Sequence, residues 1–270
     1  MTGAPTSSNR FKSWLTQRPP TPPLGTWIMS AAPAVAEAMG FCGFDFLVVD
    51  MEHSPLEIAD ATSMLRAIAG TPAEPLVRLS WNDQVLVKRV LDAGARSVMF
   101  PFVQTPEEAR AAVSYTRYPP QGVRGVAAIH RGSRFGQWKD YFQVANDDIA
   151  VVIQLETPAA LERLAEIAAV PGVDSLFVGP GDLSAALGRI GDVGHPEVQS
   201  LIARAADQAH AAAKPIGIVG ANPDMLARYA GYGYDWMAVA SDLGMLTGRA
   251  VDWVSAIKGR KGASTAPAAY

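Results

Sequence analysis

The chain alternates eight times between a short apolar run and a helical pattern, and this alternation constrains the fold more than any other feature. Apolar runs of about four to eight residues bounded by Gly or Pro are typical of strands buried in a parallel sheet. The predicted strands are 24–30, 44–51, 75–80, 97–102, 149–156, 174–179, 215–220 and 236–241. The predicted helices are 31–40, 55–69, 82–93, 105–117, 157–169, 197–213, 222–231 and 243–258. Eight such repeats in 270 residues indicate an α/β fold, a (β/α)8 TIM barrel.

Capping signals support the helix boundaries. A capping side chain precedes a proline at Ser54-Pro55, Thr105-Pro106, Thr157-Pro158 and Asn222-Pro223. Glycines follow the helical patterns at Gly40, Gly70, Gly94 and Gly233. An open doubly wound sheet is the alternative, but no Gly-x-Gly-x-x-Gly motif follows the first strand.

The predicted organisation is a single barrel domain, residues 24–258, between two flexible ends. Residues 1–23 are rich in Pro, Ser and Thr and are predicted to be a flexible lead-in, apart from a short amphipathic piece near Phe11–Thr16. Residues 259–270 are predicted to be a flexible tail. The stretch 118–148 lacks a clear element and is expected to be a long excursion over one barrel face, although Val126–Ile129 could form a ninth strand.

Composition excludes several classes of protein. A net charge of −3 gives no indication of affinity for nucleic acid, which would require a basic face. The single cysteine, Cys42, rules out an internal disulfide and a thiolate metal site, and we expect it to be buried and inert. No apolar run approaches the roughly 20 residues that cross a bilayer, and no signal peptide is visible. We therefore expect a cytoplasmic protein without membrane partners.

Two carboxylates close consecutive predicted strands. Glu156 ends the run that begins at Ile149, and Asp182 follows the run Ser175–Val178. The carboxyl ends of parallel strands meet at one mouth of a barrel, where active sites lie. Two carboxylates there suit a hard divalent cation that keeps positions open for substrate. The structural alternative is that Glu156 favours a helix N-terminus and Asp182 belongs to a turn.

Other polar residues end neighbouring strands. Arginine is rarely buried without a partner, so Arg78 between two apolar residues suggests a functional role. Strand alternation places Gln154 and Glu156 on one face. His53 could act as a base near neutral pH, oriented by Asp50, if the chain turns after the second strand.

This set of residues suits enolate formation. A metal held by two carboxylates can chelate an α-keto acid and act as a Lewis acid, with a fixed positive charge from Arg78 beside the keto oxygen. A lysine Schiff base is the alternative. It is disfavoured because Lys88 lies on a helix, Lys139 in the excursion and Lys214 at the opposite end of the barrel.

Five ordered motifs resemble those of the HpcH/HpaI aldolase family. They are Phe44–His53, Val77–Asp83, Tyr118–Gly125, Gln154–Glu156 and Val178–Ser184, within a resemblance that runs from about residue 24 to about residue 250. The resemblance implies a class II, metal-dependent pyruvate aldolase on a (β/α)8 barrel. Such enzymes reversibly cleave 4-hydroxy-2-oxo acids, such as 4-hydroxy-2-oxoheptanedioate or 2-keto-3-deoxy sugar acids, into pyruvate and an aldehyde through a metal-bound pyruvate enolate.

The resemblance also implies roles for individual residues. Glu156 and Asp182 would bind Mg²⁺, Mn²⁺ or Co²⁺, Arg78 would stabilise the enolate, and His53 would be the base of a pair with Asp50. The backbone N–H groups of Gly181 and Asp182 would hold the pyruvate carboxylate, Gln154 would contact pyruvate, and Trp27 would line the pocket unless it is a core aromatic. The family also implies a homo-oligomer, a hexamer, that exchanges its last helix between subunits. The excursion, including Arg124, and the exchanged helix would shape the aldehyde side.

Two other functions remain open at the level of sequence. One is a CoA-ester lyase of the citramalyl-CoA or malyl-CoA type on the same scaffold. The motif Asp50-x-Glu-His53 favours the aldolase branch, and no basic cluster suits CoA phosphates. The other is a non-catalytic oligomeric binding protein, which the full set of polar residues argues against.

Overall fold

The computed structural model describes residues 9–259 and contains a closed barrel of eight parallel strands. Each strand pairs with the next along the chain, and the eighth pairs with the first. The strands are β1 Leu24–Ile28, β2 Phe46–Asp50, β3 Glu74–Arg78, β4 Ser97–Phe100, β5 Ala150–Leu155, β6 Ser175–Val178, β7 Ile216–Gly220 and β8 Trp236–Ser241. Seven lie within a predicted apolar run, β3 begins one residue before its predicted run, and the predicted TIM barrel is confirmed.

Helices follow every strand and surround the barrel. They are α1 Arg10–Gln17, α2 Pro33–Gly40, α3 Ile58–Ile68, α4 Gln84–Asp92, α5 Pro106–Thr116, α6 Tyr141–Asp148, α7 Pro158–Glu162, α8 Leu164–Ala168, α9 Pro180–Ala186, α10 Pro196–Ala211, α11 Pro223–Gly231 and α12 Asp242–Lys258. The sequence did not predict α6 or α9. The single helix predicted over 157–169 is two short helices, because the backbone at Arg163 (φ −95°, ψ 7°) interrupts it. Among these helices of residues 9–259, none is both long and apolar enough to cross a membrane.

Strand alternation divides the core into two layers. Residues facing outward pack against the helices, as Ile153 and Leu155 of β5 do. Residues facing inward fill the barrel, as Val152 of β5 does. The inner layer includes Trp236, which lies against β7 where Gly217 has no side chain; a Cβ there would approach the indole to 2.2 Å. The interior is therefore a packed core and leaves space only at its ends.

The N-terminal segment differs from the flexible lead-in predicted for 1–23. Within residues 9–23, α1 closes the barrel at the N-terminal ends of its strands. Phe11 is 1% exposed and makes edge-to-face contacts with Phe46 and Trp236, at centroid distances of 5.4 and 5.1 Å. Asn9 caps the helix and donates to the carbonyl of Arg96 and to Ser97 Oγ. The amphipathic pattern is thus a short plug helix, while residues 1–8 and 260–270 lie outside the described residues.

The excursion covers the outer side of the barrel near α4 and α5. Val126–Ile129 is not a strand, so the strand count stands. Arg124 is 1% exposed, donates to Asp92 at 2.8 Å and lies over the Tyr118 ring at 4.4 Å. It therefore holds the excursion to α4 within its own subunit. The expectation that Cys42 is buried was wrong, because this residue follows the last turn of α2 and is exposed.

Candidate active site

A cavity of about 390 Å³ opens at the carboxyl ends of the strands. Seven of the eight residues predicted for the site line it: Trp27, His53, Arg78, Gln154, Glu156, Gly181 and Asp182. The eighth, Asp50, lies beneath them and is fully buried. Four different strand ends and the first turn of α9 contribute these side chains, so the fold brings together residues that are far apart in the chain.

Asp50 and Arg78 form a buried, bidentate ion pair across adjacent strands. The two residues occupy registered positions of β2 and β3. Arg78 Nε donates to Asp50 Oδ1 at 2.8 Å, and Arg78 Nη2 donates to Asp50 Oδ2 at 2.7 Å. Burial alone would lower the pKa of Arg78, but the hydrogen bonds and charge of Asp50 raise it. The guanidinium is therefore a fixed positive charge at the cavity floor.

The structure does not pair the His53 ring with Asp50, contrary to the prediction from the sequence. The backbone N–H of His53 reaches Asp50 Oδ1 at 3.4 Å, and Arg78 occupies both oxygens of that carboxylate. The imidazole lies closer to the adjacent side chain, with His53 Nε2 at 3.8 Å from Glu52 Oε2. The chain does turn after β2, as expected, but the turn directs the ring toward Glu52.

Glu52 also belongs to the site, although it was not among the predicted site residues. Its Oε2 atom lies 3.0 Å from Arg78 Nη1. Burial raises the pKa of Glu52, and the nearby charge of Asp182 raises it further, whereas Arg78 and His53 act to lower it. Glu52 thus bridges the fixed cation and the candidate base. Its position between Asp50 and His53 was the available signal, since a second acidic residue at one strand end must face water, a cation or another partner.

Glu156 is held in place from two sides and is strongly perturbed. Gln154 Nε2 donates to Glu156 Oε1 at 2.6 Å, and the backbone N–H of Phe102 donates to Glu156 Oε2 at 2.8 Å. Burial, followed by the charges of Glu52 and Asp182, raises the pKa of Glu156 to about 8. The predicted alternation on β5 is confirmed, since both side chains reach the cavity.

The turn after β6 presents Asp182 and Gly181 to the same cavity. Gly179 precedes α9 and lies against the Glu156 carboxylate, where a Cβ would approach Oε1 to 2.6 Å. Gly181 and Asp182 occupy the first turn of α9, where backbone N–H groups have no partner within the helix. The carboxylates of Glu156 and Asp182 therefore share one cavity, as predicted.

Trp27 is both a core aromatic and a wall of the cavity. It is fully buried at the end of β1, and Arg78 Cζ lies 4.1 Å from its ring centroid. The ring face attracts the guanidinium by a cation–π interaction and limits its movement.

The remaining histidines lie outside the cavity. His195 caps α10, and His210 lies 3.0 Å from Asp235 at the opposite end of the barrel, as expected for structural residues. His130 is buried in the excursion, where its pKa is lowered by burial, 3.8 Å from Asp92.

Comparisons with known proteins show which family this chain resembles along most of its length. Residues 24–247 match the family model HpcH/HpaI aldolase/citrate lyase. The 2-dehydro-3,6-dideoxy-6-sulfogluconate aldolase of Pseudomonas putida is 52% identical over 248 residues, covering 92% of this chain and 97% of that protein. The 5-keto-4-deoxy-D-glucarate aldolase of Salmonella paratyphi A is 42% identical, covering 87% and 91%.

A solved structure shows the same architecture. The crystal structure of an HpcH/HpaI aldolase/citrate lyase family protein from Burkholderia cenocepacia J2315 has a TM-score of 0.90 and 39% identity, covering 93% of this chain and all of that chain. The two named relatives are aldolases, which confirms the predicted enzyme class, a carbon–carbon lyase. The chain belongs to the HpcH/HpaI aldolase/citrate lyase family.

Proposed function

We propose that this protein is a divalent-metal-dependent aldolase that reversibly cleaves a 4-hydroxy-2-oxo acid into pyruvate and an aldehyde. The observation that supports this most directly is the convergence of Glu156 and Asp182 with Arg78 in one cavity. The substrate class is the 2-keto-3-deoxy sugar acids. The Pseudomonas and Salmonella relatives act on a sulfogluconate and a glucarate derivative, both acids with a second anionic group.

The residues present fit a divalent cation. Three carboxylates, those of Glu52, Glu156 and Asp182, interact electrostatically around the cavity, and together with burial they raise the pKa of Glu156 to about 8. A dication would relieve this repulsion, and carboxylate oxygens are the ligands that Mg²⁺ and Mn²⁺ prefer. Within residues 9–259, no three His, Cys, Asp or Glu side chains are arranged to hold a metal. Glu156 and Asp182 would be the two protein ligands of Mg²⁺, Mn²⁺ or Co²⁺, with substrate and water completing the coordination shell.

The protein's own residues supply the remaining chemistry. A bound metal would act as a Lewis acid toward the keto oxygen. Arg78 places a fixed positive charge where negative charge develops on that oxygen. In the cleavage direction, His53 takes the proton of the C4 hydroxyl, the C3–C4 bond breaks, and its electron pair passes into the pyruvate enolate as the aldehyde forms. Protonation of C3 then yields pyruvate.

Binding of the pyruvate half uses the turn after β6. The first-turn N–H groups at Gly181 and Asp182 are available to a carboxylate. Glycine at 181 leaves open space, since a Cβ there would meet no atom of residues 9–259 within 4 Å. Gln154 is fixed by its hydrogen bond to Glu156, and its buried Oε1 has no hydrogen-bond partner in the part of the chain that the structure describes. A substrate or a water molecule at that point would satisfy this amide oxygen.

The proposed oligomer is a homohexamer that exchanges α12. Asp242 is the only buried residue of this helix, and its carboxylate accepts the N–H groups of Met29 and Ser30 at the end of β1. The rest of the helix exposes Leu246 (65%), Trp253 (64%) and Ile257 (84%). A second copy of the chain would cover these side chains. Trp253→Glu should lower the molar mass measured by light scattering, whereas Phe142→Glu on α6 should not.

The experiment that tests the function is a metal-dependent cleavage assay. Pyruvate release from 2-keto-3-deoxy sugar acids would be followed before and after exhaustive chelation, and again after Mg²⁺ or Mn²⁺ is restored. We expect activity to disappear and return, and Glu156→Gln to remain inactive with metal present. Borohydride should not trap a substrate adduct. Activity that survives metal removal would contradict the proposal, and production of an acyl-CoA from a CoA ester would favour the lyase alternative.

A further inference from the structure

A tight turn forms one side of the cavity mouth, between α9 and α10. The backbone N–H of Asp192 donates to the carbonyl of Arg189 at 2.8 Å, so residues 189–192 form a β-turn, named here the 189–192 turn. Gly191 stands third in this turn with φ 79°, the conformation that a type II turn requires at that position. Buried Val193 follows the turn, and the N–H of Arg189 donates to the carbonyl of Ser184, so both ends are anchored.

The tip of the turn is apolar, exposed and adjacent to the cavity. Ile190 is 84% exposed, yet Ile190 and Gly191 both line the cavity that holds Glu156 and Asp182. A Cβ added at Gly188 or Gly191 would meet no atom of the described residues within 4 Å, so this part of the chain leaves the surroundings of the turn open. Ligand cavities are lined mainly by apolar side chains, so Ile190 is placed to contact the carbon chain of a bound substrate.

The charges around the cavity leave a second anionic group without a partner. Among the described residues that line the cavity, the only Lys or Arg is Arg78, which is already paired with Asp50 and Glu52. Arg189 is exposed, and within residues 9–259 its side chain has no ion pair or hydrogen bond. It directly precedes the lining residue Ile190. A guanidinium suits both carboxylate and sulfonate oxygens, because its N–H groups form a planar fork.

We propose that the 189–192 turn is the specificity element for the aldehyde half of the substrate. Arg189 binds the distal anionic group, a carboxylate or sulfonate, and Ile190 covers the carbon chain between that group and the reacting carbons. The proposal rests on the proposed aldolase function and names the part of the substrate that the metal site does not contact. It makes Arg189 a residue that affects binding, with little influence on the bond-breaking step.

Binding of two non-cleavable 2-oxo acids tests this proposal without turnover. 2-Oxoadipate has a distal carboxylate, 2-oxohexanoate has the same chain length without it, and neither has the C4 hydroxyl needed for cleavage. Calorimetric titration of the Mg²⁺-loaded protein should show 2-oxoadipate binding about tenfold tighter, the difference expected for one charge-assisted hydrogen bond. Arg189→Ala should abolish this preference and leave the affinity for 2-oxohexanoate unchanged.

A matched control removes the same charge elsewhere. Arg228→Ala, in the last turn of α11 at the opposite end of the barrel, should keep the preference for 2-oxoadipate. Equal binding of the two acids by the native protein, or a preference that survives Arg189→Ala, would overturn the role of Arg189 and leave the aldolase function intact. Failure of both acids to bind would contradict both proposals. Binding with the expected preference but no pyruvate release from any 4-hydroxy-2-oxo acid would contradict the aldolase function alone.

Discussion

Arg78 on β3 donates two hydrogen bonds to the Asp50 carboxylate on β2, at 2.8 and 2.7 Å. Its third guanidinium nitrogen, Nη1, lies 3.0 Å from Glu52 Oε2. Trp27 lies against the face of the same guanidinium. The cation is thus oriented before any substrate arrives. Preorganisation of this kind is what allows a charge to stabilise a transition state without reorganising during the reaction.

Replacing Arg78 with Lys should remove that orientation while keeping the charge. A lysine cannot make the bidentate pair with Asp50 or lie flat on Trp27. We expect kcat for pyruvate release to fall by about 10²–10³, the loss typical of one oxyanion-stabilising donor. Steady-state kinetics of pyruvate release measures this change in kcat. Arg228→Lys at the far end of the barrel is the control, and near-native kcat in Arg78→Lys would mean that the fixed geometry is unimportant.

His53→Asn should uncouple substrate binding from proton transfer. His53 lines the cavity and is the candidate base, so its loss should slow the exchange of pyruvate methyl protons with D₂O by about 10²–10⁴. Proton NMR of pyruvate with the metal-loaded enzyme follows this exchange directly. His195→Asn keeps a capping side chain on α10 and should exchange normally. An unchanged exchange rate in His53→Asn would show that a group other than His53 is the base.

The raised pKa of Glu156 predicts how the metal-free protein responds to pH. Its folded pKa of about 8 lies above the ordinary value of 4.5, so the folded state binds more protons than the unfolded state between these values. Its contribution to stability is present below about pH 4.5 and is lost as the pH rises through about 8. Melting temperatures of chelated protein from pH 5 to 9 should decline more steeply for the native protein than for Glu156→Gln. Parallel plots of melting temperature against pH for the two proteins would contradict this prediction. Saturating Mg²⁺ should reduce the difference in slope between the native protein and Glu156→Gln.

Phe11→Ala tests whether the plug helix stabilises the barrel. Phe11 is 1% exposed among aromatic rings, and a buried Phe→Ala change costs about 3–5 kcal/mol. Urea denaturation of the native protein and the variant gives the difference in free energy of unfolding. Phe41→Ala, at a position 63% exposed, should have a small effect. KM should not change in either variant, because α1 lies at the end of the barrel opposite the cavity. If the N-terminal segment were flexible, Phe11→Ala and Phe41→Ala would lower the free energy of unfolding by the same small amount.

Local patterns in the sequence determined the barrel and most of the site. Eight apolar runs with caps between them required a parallel sheet, and strand alternation placed Gln154 and Glu156 on the same inner face. These features depend on neighbouring residues in the chain, through backbone geometry and the period of the strand.

Only the tertiary structure decided which partners the polar groups have. Asp50 pairs with Arg78 and leaves His53 beside Glu52, because β2 and β3 align residues 50 and 78 side by side and the turn after β2 redirects the ring. The pattern at Phe11 was visible as a short amphipathic piece, but the aromatic surface that orders it comes from β2 and β8. Hydrogen bonds and packing between residues far apart in the chain depend on register and on three-dimensional position, which one-dimensional periodicity does not contain.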